Sequence, residues 1–231
     1  MWNEFLIILV WGGIVALDTT AVFQVLISQP LVSCTIVGLL LGNPTVGIII
    51  GIVMELPWLL EITAGGARFS ESNLGSVTAA SIAIIAIQVT HRQEISFLLA
   101  LLTGVLISYL GGKLVIWQRK KNDLIMNHID SFEVPNSRQV WQHHYFSILL
   151  TFISGGVFVA VLSVAVGKWL LPVIIENVPQ HIDPVFKPVK SVFLGVGVGA
   201  MLVHFYQKKN FIMILFGVLL GLIIVILQIQ K

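Results

Sequence analysis

Hydrophobic residues form long blocks along most of the chain, and short polar stretches separate these blocks. A membrane-spanning helix needs about 20 consecutive, mainly apolar residues, and most of the blocks reach that length. The pattern therefore predicts an all-α polytopic membrane protein with about six to eight membrane segments, forming a single membrane domain over residues 1–231. The candidate segments are 3–27, 30–42 with 45–60, 74–90, 94–117, 144–171, 190–207 and 211–229.

The second candidate segment, residues 29–61, is interrupted in its middle by Asn43-Pro44. Each half is too short to cross a bilayer alone at about 1.5 Å of rise per residue. A break at membrane depth frees backbone groups that must be shielded by protein or by a water-lined cavity. The segment is therefore predicted to be a re-entrant hairpin or a broken helix.

Glycines spaced four residues apart flank this break on both sides. Small residues at that spacing share one helical face and let a second backbone approach closely. Two such pairs facing each other across a break predict a compact hairpin docked against other elements, although a single pair is equally typical of ordinary helix packing. The hairpin residues are Gly38, Gly42, Asn43, Pro44, Gly47 and Gly51.

The composition supports a membrane protein and excludes several other classes. Hydrophobic residues make up 57% of the chain and charged residues only 10%, whereas soluble domains carry about 25% charge. The net charge of +2 is too small and too scattered to indicate nucleic-acid binding. The N-terminus lacks the basic start and cleavage site of a secretory signal, so it is interpreted as the first membrane helix.

No pattern in the sequence indicates an enzyme, a metal site or a cofactor. Cys34 is the single cysteine, which excludes a disulfide within the chain and a cysteine-based metal cluster. The six histidines lack the spacing of metal ligands, and hydrolase, nucleotide-binding and zinc-protease motifs are absent.

The longest polar segment, 118–143, provides the best indication of orientation. It contains Arg119, Lys120, Lys121 and Arg138, and cytoplasmic loops carry an excess of lysine and arginine. The segment is therefore predicted to be a cytoplasmic loop.

Two acidic residues fall within predicted membrane segments, where an ionisable group is by default a functional-site hypothesis. Asp18 falls near the middle of the first segment, and Glu55 continues the spacing of Gly47 and Gly51 on one face of its half-helix. The alternatives are a structural role for Asp18 and an interfacial position near a helix end for Glu55.

Residues 63–73 form a stretch of small and hydrogen-bonding residues without helical periodicity. Such a loop is suited to present hydroxyls, amides, a carboxylate and backbone N–H groups to a polyol. Ser72 and Asn73 also suit the N-cap of the following helix, so a purely structural role for Asn73 stays open.

The run QPLVSCTIVGLLLGNPTVGIIIGIVMEL resembles the N-terminal signature of the IIC subunit of the mannose/fructose/sorbose class of the bacterial phosphotransferase system. The shared features are a proline-led apolar run, G-L-x-x-G, a short break, glycine pairs and a glutamate. A small-residue loop then leads into the next span. The resemblance is specific over roughly residues 15–85, and chain length and span number fit the whole family.

This resemblance implies a sugar permease subunit in the bacterial cytoplasmic membrane, moving a hexose or an amino sugar inward. It implies a membrane partner, the IID subunit, separate IIA and IIB phosphocarrier proteins, and a higher-order oligomer. The IIC chain itself would carry no phosphorylated residue. Carried over by position, the residues near the sugar are Asp18, Glu55, Thr63 and Glu71, and the polar loop adds Asn73.

Two other functions stay open at this point. The 68–73 loop departs from the family pattern, with Phe69-Ser-Glu71 where an aspartate is usual, which favours a membrane scaffold or sensor that no longer transports. An ion-coupled transporter would instead use Asp18 and Glu55 as proton carriers.

Overall fold

The computed structural model describes residues 2–22, 24–56, 71–130 and 136–205. Within these ranges the chain is helical, with turns between the helices and no strand. The α-helices are α1 (Trp2–Thr20), α2 (Pro30–Leu40), α3 (Pro44–Glu55), α4 (Ser72–Thr90), α5 (Gln93–Asp130), α6 (Ser137–Val164), α7 (Leu171–Glu176) and α8 (Val189–Phe205). A π-helical turn, Ala165–Leu170, joins α6 to α7, and a 3₁₀-helix, Gln180–Phe186, precedes α8.

Within the described ranges, four helical segments are long and apolar enough to cross a membrane, and α2 and α3 are shorter apolar helices. This architecture confirms the prediction of an all-α polytopic membrane protein. The four segments are Trp2–Thr20, Ser72–Thr90, Gln93–Asn127 and Ser137–Glu176. The predicted segment 211–229 lies outside the described residues.

Helix α4 is the central helix, and glycines bring its backbone close to two of its neighbours. It packs against the hairpin helices α2 and α3 as well as against α5 and α6. A Cβ atom on Gly75 would overlap the Ser108 side chain of α5, and Gly167 of the π-helical turn lies against the backbone of Ile82. Small side chains let these helices approach closely in a membrane, where hydrophobic contrast between helices and lipid is weak.

Helices α2 and α3 form an antiparallel hairpin whose interface is built from backbone contacts. A Cβ on Gly38 would lie 3.0 Å from the Cα of Gly47, one on Gly47 would overlap the carbonyl oxygen of Cys34, and one on Gly51 would lie 2.9 Å from the Pro30 oxygen. The glycines therefore pack the two halves of the hairpin against each other, rather than mainly against other elements.

The turn of the hairpin has a clear local cause. Gly42 adopts φ +82°, a left-handed conformation that glycine tolerates. Asn43 then caps α3, because its Oδ1 accepts the Val46 N–H at 3.2 Å, and Pro44 occupies the first helical turn, where no backbone donor is needed. The tip is tied to α4, since Gln88 donates from Nε2 to the Leu41 oxygen at 3.1 Å.

The first membrane helix is shorter than the predicted segment 3–27, and Asp18 is therefore not near its middle. Helix α1 ends at Thr20, where the hydroxyls of Thr19 and Thr20 donate to carbonyl oxygens one turn back. The following residues form an irregular turn in which Gln24 and Leu26 have φ values of +51° and +68°. Non-glycine residues adopt such angles at a cost of about 1–3 kcal/mol each, so tertiary contacts must hold this turn.

The prediction of a loop over 118–143 is wrong in its extent. Helix α5 continues to Asp130, and α6 begins at Ser137, after Asn136 and Gln139 form a capping box. The lysines, arginines and glutamines here are good helix formers, so hydrophilicity marks solvated helix surface rather than irregular backbone. At 38 residues, α5 is about 57 Å long, well beyond a hydrocarbon core of about 30 Å. The cytoplasmic placement of the polar 118–143 segment stays a prediction.

Candidate functional site at the base of the hairpin

Asp18 holds the irregular turn that connects α1 to the hairpin. Its Oδ1 accepts the backbone N–H of Val25 and its Oδ2 accepts that of Ser28, each at 2.8 Å. The side chain is 3% exposed. Two N–H donors on a buried carboxylate offset much of the cost of removing its charge from water. In this conformation Asp18 therefore supports the positive-φ turn around Gln24 and Leu26.

Glu55 closes the base of the hairpin. It is the last residue of α3, and its Oε2 accepts the backbone N–H of Leu31 at 2.8 Å. Leu31 lies in the first turn of α2, where N–H groups lack helical partners and a negative charge is favoured. The carboxylate is half-buried, so it caps α2 while part of its surface faces outward.

Glu71 and Asn73 lie at the start of α4. Glu71 is the N-cap, so the alternative N-cap assignment to Ser72 or Asn73 is wrong. Its backbone N–H donates to the Ser108 oxygen of α5 at 2.8 Å, and its side chain is buried. Asn73 is half-buried, and its Nδ2 donates to Thr19 Oγ1 of α1 at 3.1 Å.

These contacts gather most of the predicted site at one end of the helical bundle. Asp18 binds the turn that leads into Pro30, and Glu55 binds the N–H of the next residue. On the other side, Thr19, adjacent in sequence to Asp18, contacts Asn73. We call this region, comprising Asp18, Thr19, Glu55, Glu71 and Asn73, the hairpin base. Thr63 lies outside the described residues.

The chemistry of the hairpin base is acidic and rich in hydrogen-bonding groups. Among the described residues, no lysine or arginine forms an ion pair with Asp18 or Glu55. Carboxylates accept strong hydrogen bonds from hydroxyl donors, and an amide both donates and accepts. Within the same ranges no cluster of three potential metal ligands occurs. The arrangement is thus suited to a neutral ligand with several hydroxyl groups.

Three side-chain contacts that hold the fold together were not predicted. The Trp11 indole donates to the Ser33 oxygen at 3.0 Å, which ties α1 to α2. Gln118 donates to Ser154 Oγ at 2.8 Å, which joins α5 to α6. The Trp11 indole lies within an apolar run and Gln118 directly follows one, and polar atoms require partners when buried. That rule indicates which residues need a partner, but it does not identify the partner.

Arg92, between α4 and α5, forms the third such contact. Its guanidinium pairs with Asp183 through both carboxylate oxygens and donates to the Ile175 and Val178 carbonyls, each at 2.6 Å. This pairing holds the pKa of Asp183 below its usual value, despite a smaller opposing effect of desolvation. Arg92 thus fastens the connection between α7 and α8 to the α4–α5 turn, with support from a 3.0 Å pair between Lys190 and Glu94.

The helical architecture and the broken hairpin define a multi-pass integral membrane protein. The family model described as "PTS system sorbose-specific iic component" matches residues 2–229. The chain therefore belongs to the sorbose-type IIC family of phosphotransferase-system membrane components.

Individual relatives agree with this family. A "PTS system sorbose-specific EIIC component" from Lacticaseibacillus casei is 32% identical over 83 residues, covering 36% of this chain and 29% of that protein. The aligned part of the chain thus spans less than a third of that curated relative's length.

Solved structures share the fold at low sequence identity. One, described as "Structure of membrane protein", has a TM-score of 0.67 at 18% identity, covering 99% of this chain and 95% of its own. A second contains the mannose transporter ManYZ with microcin E492, and matches with a TM-score of 0.54 at 18% identity, covering 100% and 96% of the two chains. At this identity the likeness concerns the fold alone.

Proposed function

We propose that this chain is the sugar-translocating subunit of a mannose-type phosphotransferase system and that the hairpin base contacts the sugar. The observation that carries the proposal is the convergence of Asp18, Glu55, Glu71 and Asn73 at one end of the bundle, in a chain whose family match covers residues 2–229. The substrate class is a hexose or an amino sugar, whose hydroxyl groups suit these acceptors and donors.

The geometry divides the proposed site into two kinds of residue. Glu55 and Asn73 are half-buried, and each retains surface beyond its contact within the protein. They are proposed to hydrogen-bond the sugar. Asp18 and Glu71 are buried and are proposed as positioning residues, since Asp18 holds the 24–28 turn and Glu71 begins α4. Thr63 is proposed as a further contact on sequence grounds.

The partners of the proposed system follow from the family. A IID membrane subunit would complete the permease, and IIA and IIB proteins would carry the phosphoryl group, with IIB phosphorylating the incoming sugar. The chain itself would act without a cofactor and without a phosphorylated residue. The fold that this chain shares with the mannose transporter ManYZ supports the proposed assembly with another membrane component.

The decisive experiment is uptake into vesicles that contain this chain with its IID, IIA and IIB proteins, screened over hexoses and amino sugars. The proposal expects uptake of at least one sugar that depends on phosphoenolpyruvate. Uptake that persists without a phosphoryl donor and collapses with an uncoupler would instead identify an ion-coupled transporter.

A transport-inactive scaffold is the second candidate, because both Asp18 oxygens are already engaged by backbone donors. It predicts no uptake of any sugar by a correctly inserted complex. A positive control with an active mannose-type system in the same vesicles separates this outcome from a failed reconstitution.

A further inference from the structure

A groove between α5 and α6 lies apart from the hairpin base and has no part in the proposed transport site. Its volume is about 640 Å³, within the range of small-molecule binding sites. Most of its walls are apolar, and its polar side chains are Lys121, Gln142 and His143. Its apolar lining among the described residues includes Trp117, Leu124, Phe146 and Leu150.

The length of α5 predicts that the groove lies near the boundary between membrane and water. Trp117 lies about 36 Å along α5 from Gln93, slightly beyond a hydrocarbon core of about 30 Å. Tryptophan rings favour that depth, where the indole meets both acyl chains and headgroups. We therefore expect one end of the groove to face acyl chains and the other to face headgroups.

The charge of the groove is complementary to an anion. Lys121 is exposed at its mouth, none of the aspartates and glutamates that the structure describes lines it, and Arg119 and Lys120 precede Lys121 on the same helix. Within the described ranges no carboxylate pairs with Lys121. A lysine at this depth extends its aliphatic stem along apolar surface and directs the ammonium towards headgroups.

We propose that this groove binds an anionic phospholipid. Lys121 would pair with the headgroup phosphate, while the apolar walls formed by Trp117, Phe146 and Leu150 hold an acyl chain. The occupant must be both anionic and apolar, because the ammonium lies beside walls that would disfavour a free, fully hydrated anion. This inference is independent of the sugar site, because no residue of the hairpin base lines the groove.

The test compares retention of phosphatidylglycerol and phosphatidylcholine with identical acyl chains by the purified full chain, using native mass spectrometry. The proposal expects wild-type protein to retain one phosphatidylglycerol per chain in preference to phosphatidylcholine. Lys121→Gln is expected to lower that retention about fivefold, the effect of one interfacial lysine on anionic lipid. Lys121→Arg is expected to restore it.

Lys120→Gln is the matched control, because it removes the same charge from the adjacent exposed residue, which does not line the groove. It is expected to retain the lipid. A second measurement follows the quenching of tryptophan fluorescence by brominated phosphatidylglycerol at about one lipid per chain. Trp117→Phe should remove most of the fluorescence that the lipid quenches, whereas Trp141→Phe should not.

Three outcomes would overturn the proposal. These are equal loss of lipid in the Lys120 and Lys121 variants, no preference for the anionic lipid, and quenching that does not depend on Trp117. Release of a membrane protein partner by Lys121→Gln, with lipid retention unchanged, would show that the groove is a protein interface instead.

Discussion

The Glu55 carboxylate accepts the Leu31 backbone N–H at 2.8 Å and thereby joins the end of α3 to the start of α2. The residue proposed to contact the sugar is thus also the closing contact of the hairpin. A sugar hydroxyl that donates to the Glu55 carboxylate would either displace the Leu31 N–H or bind beside it. The Leu31 contact sets the geometry of the hairpin. Binding and hairpin structure are therefore expected to be linked at this residue.

Substitutions of Glu55 separate these two roles. Glu55→Gln retains an oxygen acceptor for Leu31 but loses the charge, whereas Glu55→Ala loses both. We expect the alanine variant to lose about 1 kcal/mol of stability, the usual cost of a lost helix cap, and the glutamine variant to lose less. Thermal unfolding in detergent measures this difference.

Sugar uptake by the same two variants tests the binding role. Both should show reduced uptake if the charged carboxylate binds the sugar. If Glu55→Gln inserts normally and transports at the wild-type rate, Glu55 has only a structural role.

The hydrogen bond between Asn73 and Thr19 allows the structural role of Asn73 to be separated from its proposed role in sugar binding. Thr19→Val and Asn73→Ala both remove the 3.1 Å hydrogen bond, and each should cost about 1 kcal/mol of stability. Only Asn73→Ala also removes the amide proposed to bind sugar, so it should lower uptake further. Equal uptake by the two variants would argue against a sugar contact by Asn73.

Stability is expected to fall even when Asp18 is replaced by asparagine, its closest isostere. Asp18→Asn places an amide NH₂ where the carboxylate accepts the N–H of either Val25 or Ser28. Two donors then face each other in a buried site, which should cost about 1–3 kcal/mol. Thermal unfolding should show this loss, and Thr20→Val, which removes a local contact nearby, should lose less stability.

The glycine contacts of the hairpin give a stability prediction with an internal control. Gly47→Ala would drive its Cβ into the Cys34 carbonyl, and such overpacking costs about 1–3 kcal/mol. Gly195→Ala in α8 meets nothing within 4 Å, so it should be neutral or slightly stabilising. Unfolding temperatures of the two variants should therefore move apart, and equal shifts would contradict the packing described here.

The Arg92–Asp183 pair predicts acid sensitivity of the connection between α7 and α8. The folded-state pKa of Asp183 lies below its unfolded value of about 3.8, so the stabilisation is fully present above that value. It is lost as the pH falls through the lower folded-state pKa. After correction for the intrinsic exchange rate at each pH, the protection of the 176–190 amides against hydrogen exchange should fall in that acid range. Asp183→Asn should lower this protection at neutral pH and weaken its dependence on acid.

Sequence patterns identified the hairpin because its causes are local. Gly42, Asn43 and Pro44 form the turn and the cap with neighbours within a few residues, and the glycine spacing repeats along each half. The limits of α1 and of the 118–143 segment were predicted less well. Hydropathy measures preference for the bilayer, whereas a helix can end within an apolar run, as at Thr20, or continue through a polar one.

The amino-acid sequence by itself determined that this is an all-α membrane protein with a broken hairpin, and it identified Asp18, Glu55, Glu71 and Asn73 as candidates. Only the tertiary structure decided what those side chains contact. A carboxylate in an apolar run is predicted to need hydrogen-bond donors, but the sequence does not identify them. The donors, such as the Ser28 and Leu31 N–H groups, come from segments positioned by helix packing. For that reason Asp18 is assigned to support the turn, while Glu55 and Asn73 remain the residues proposed to meet the sugar.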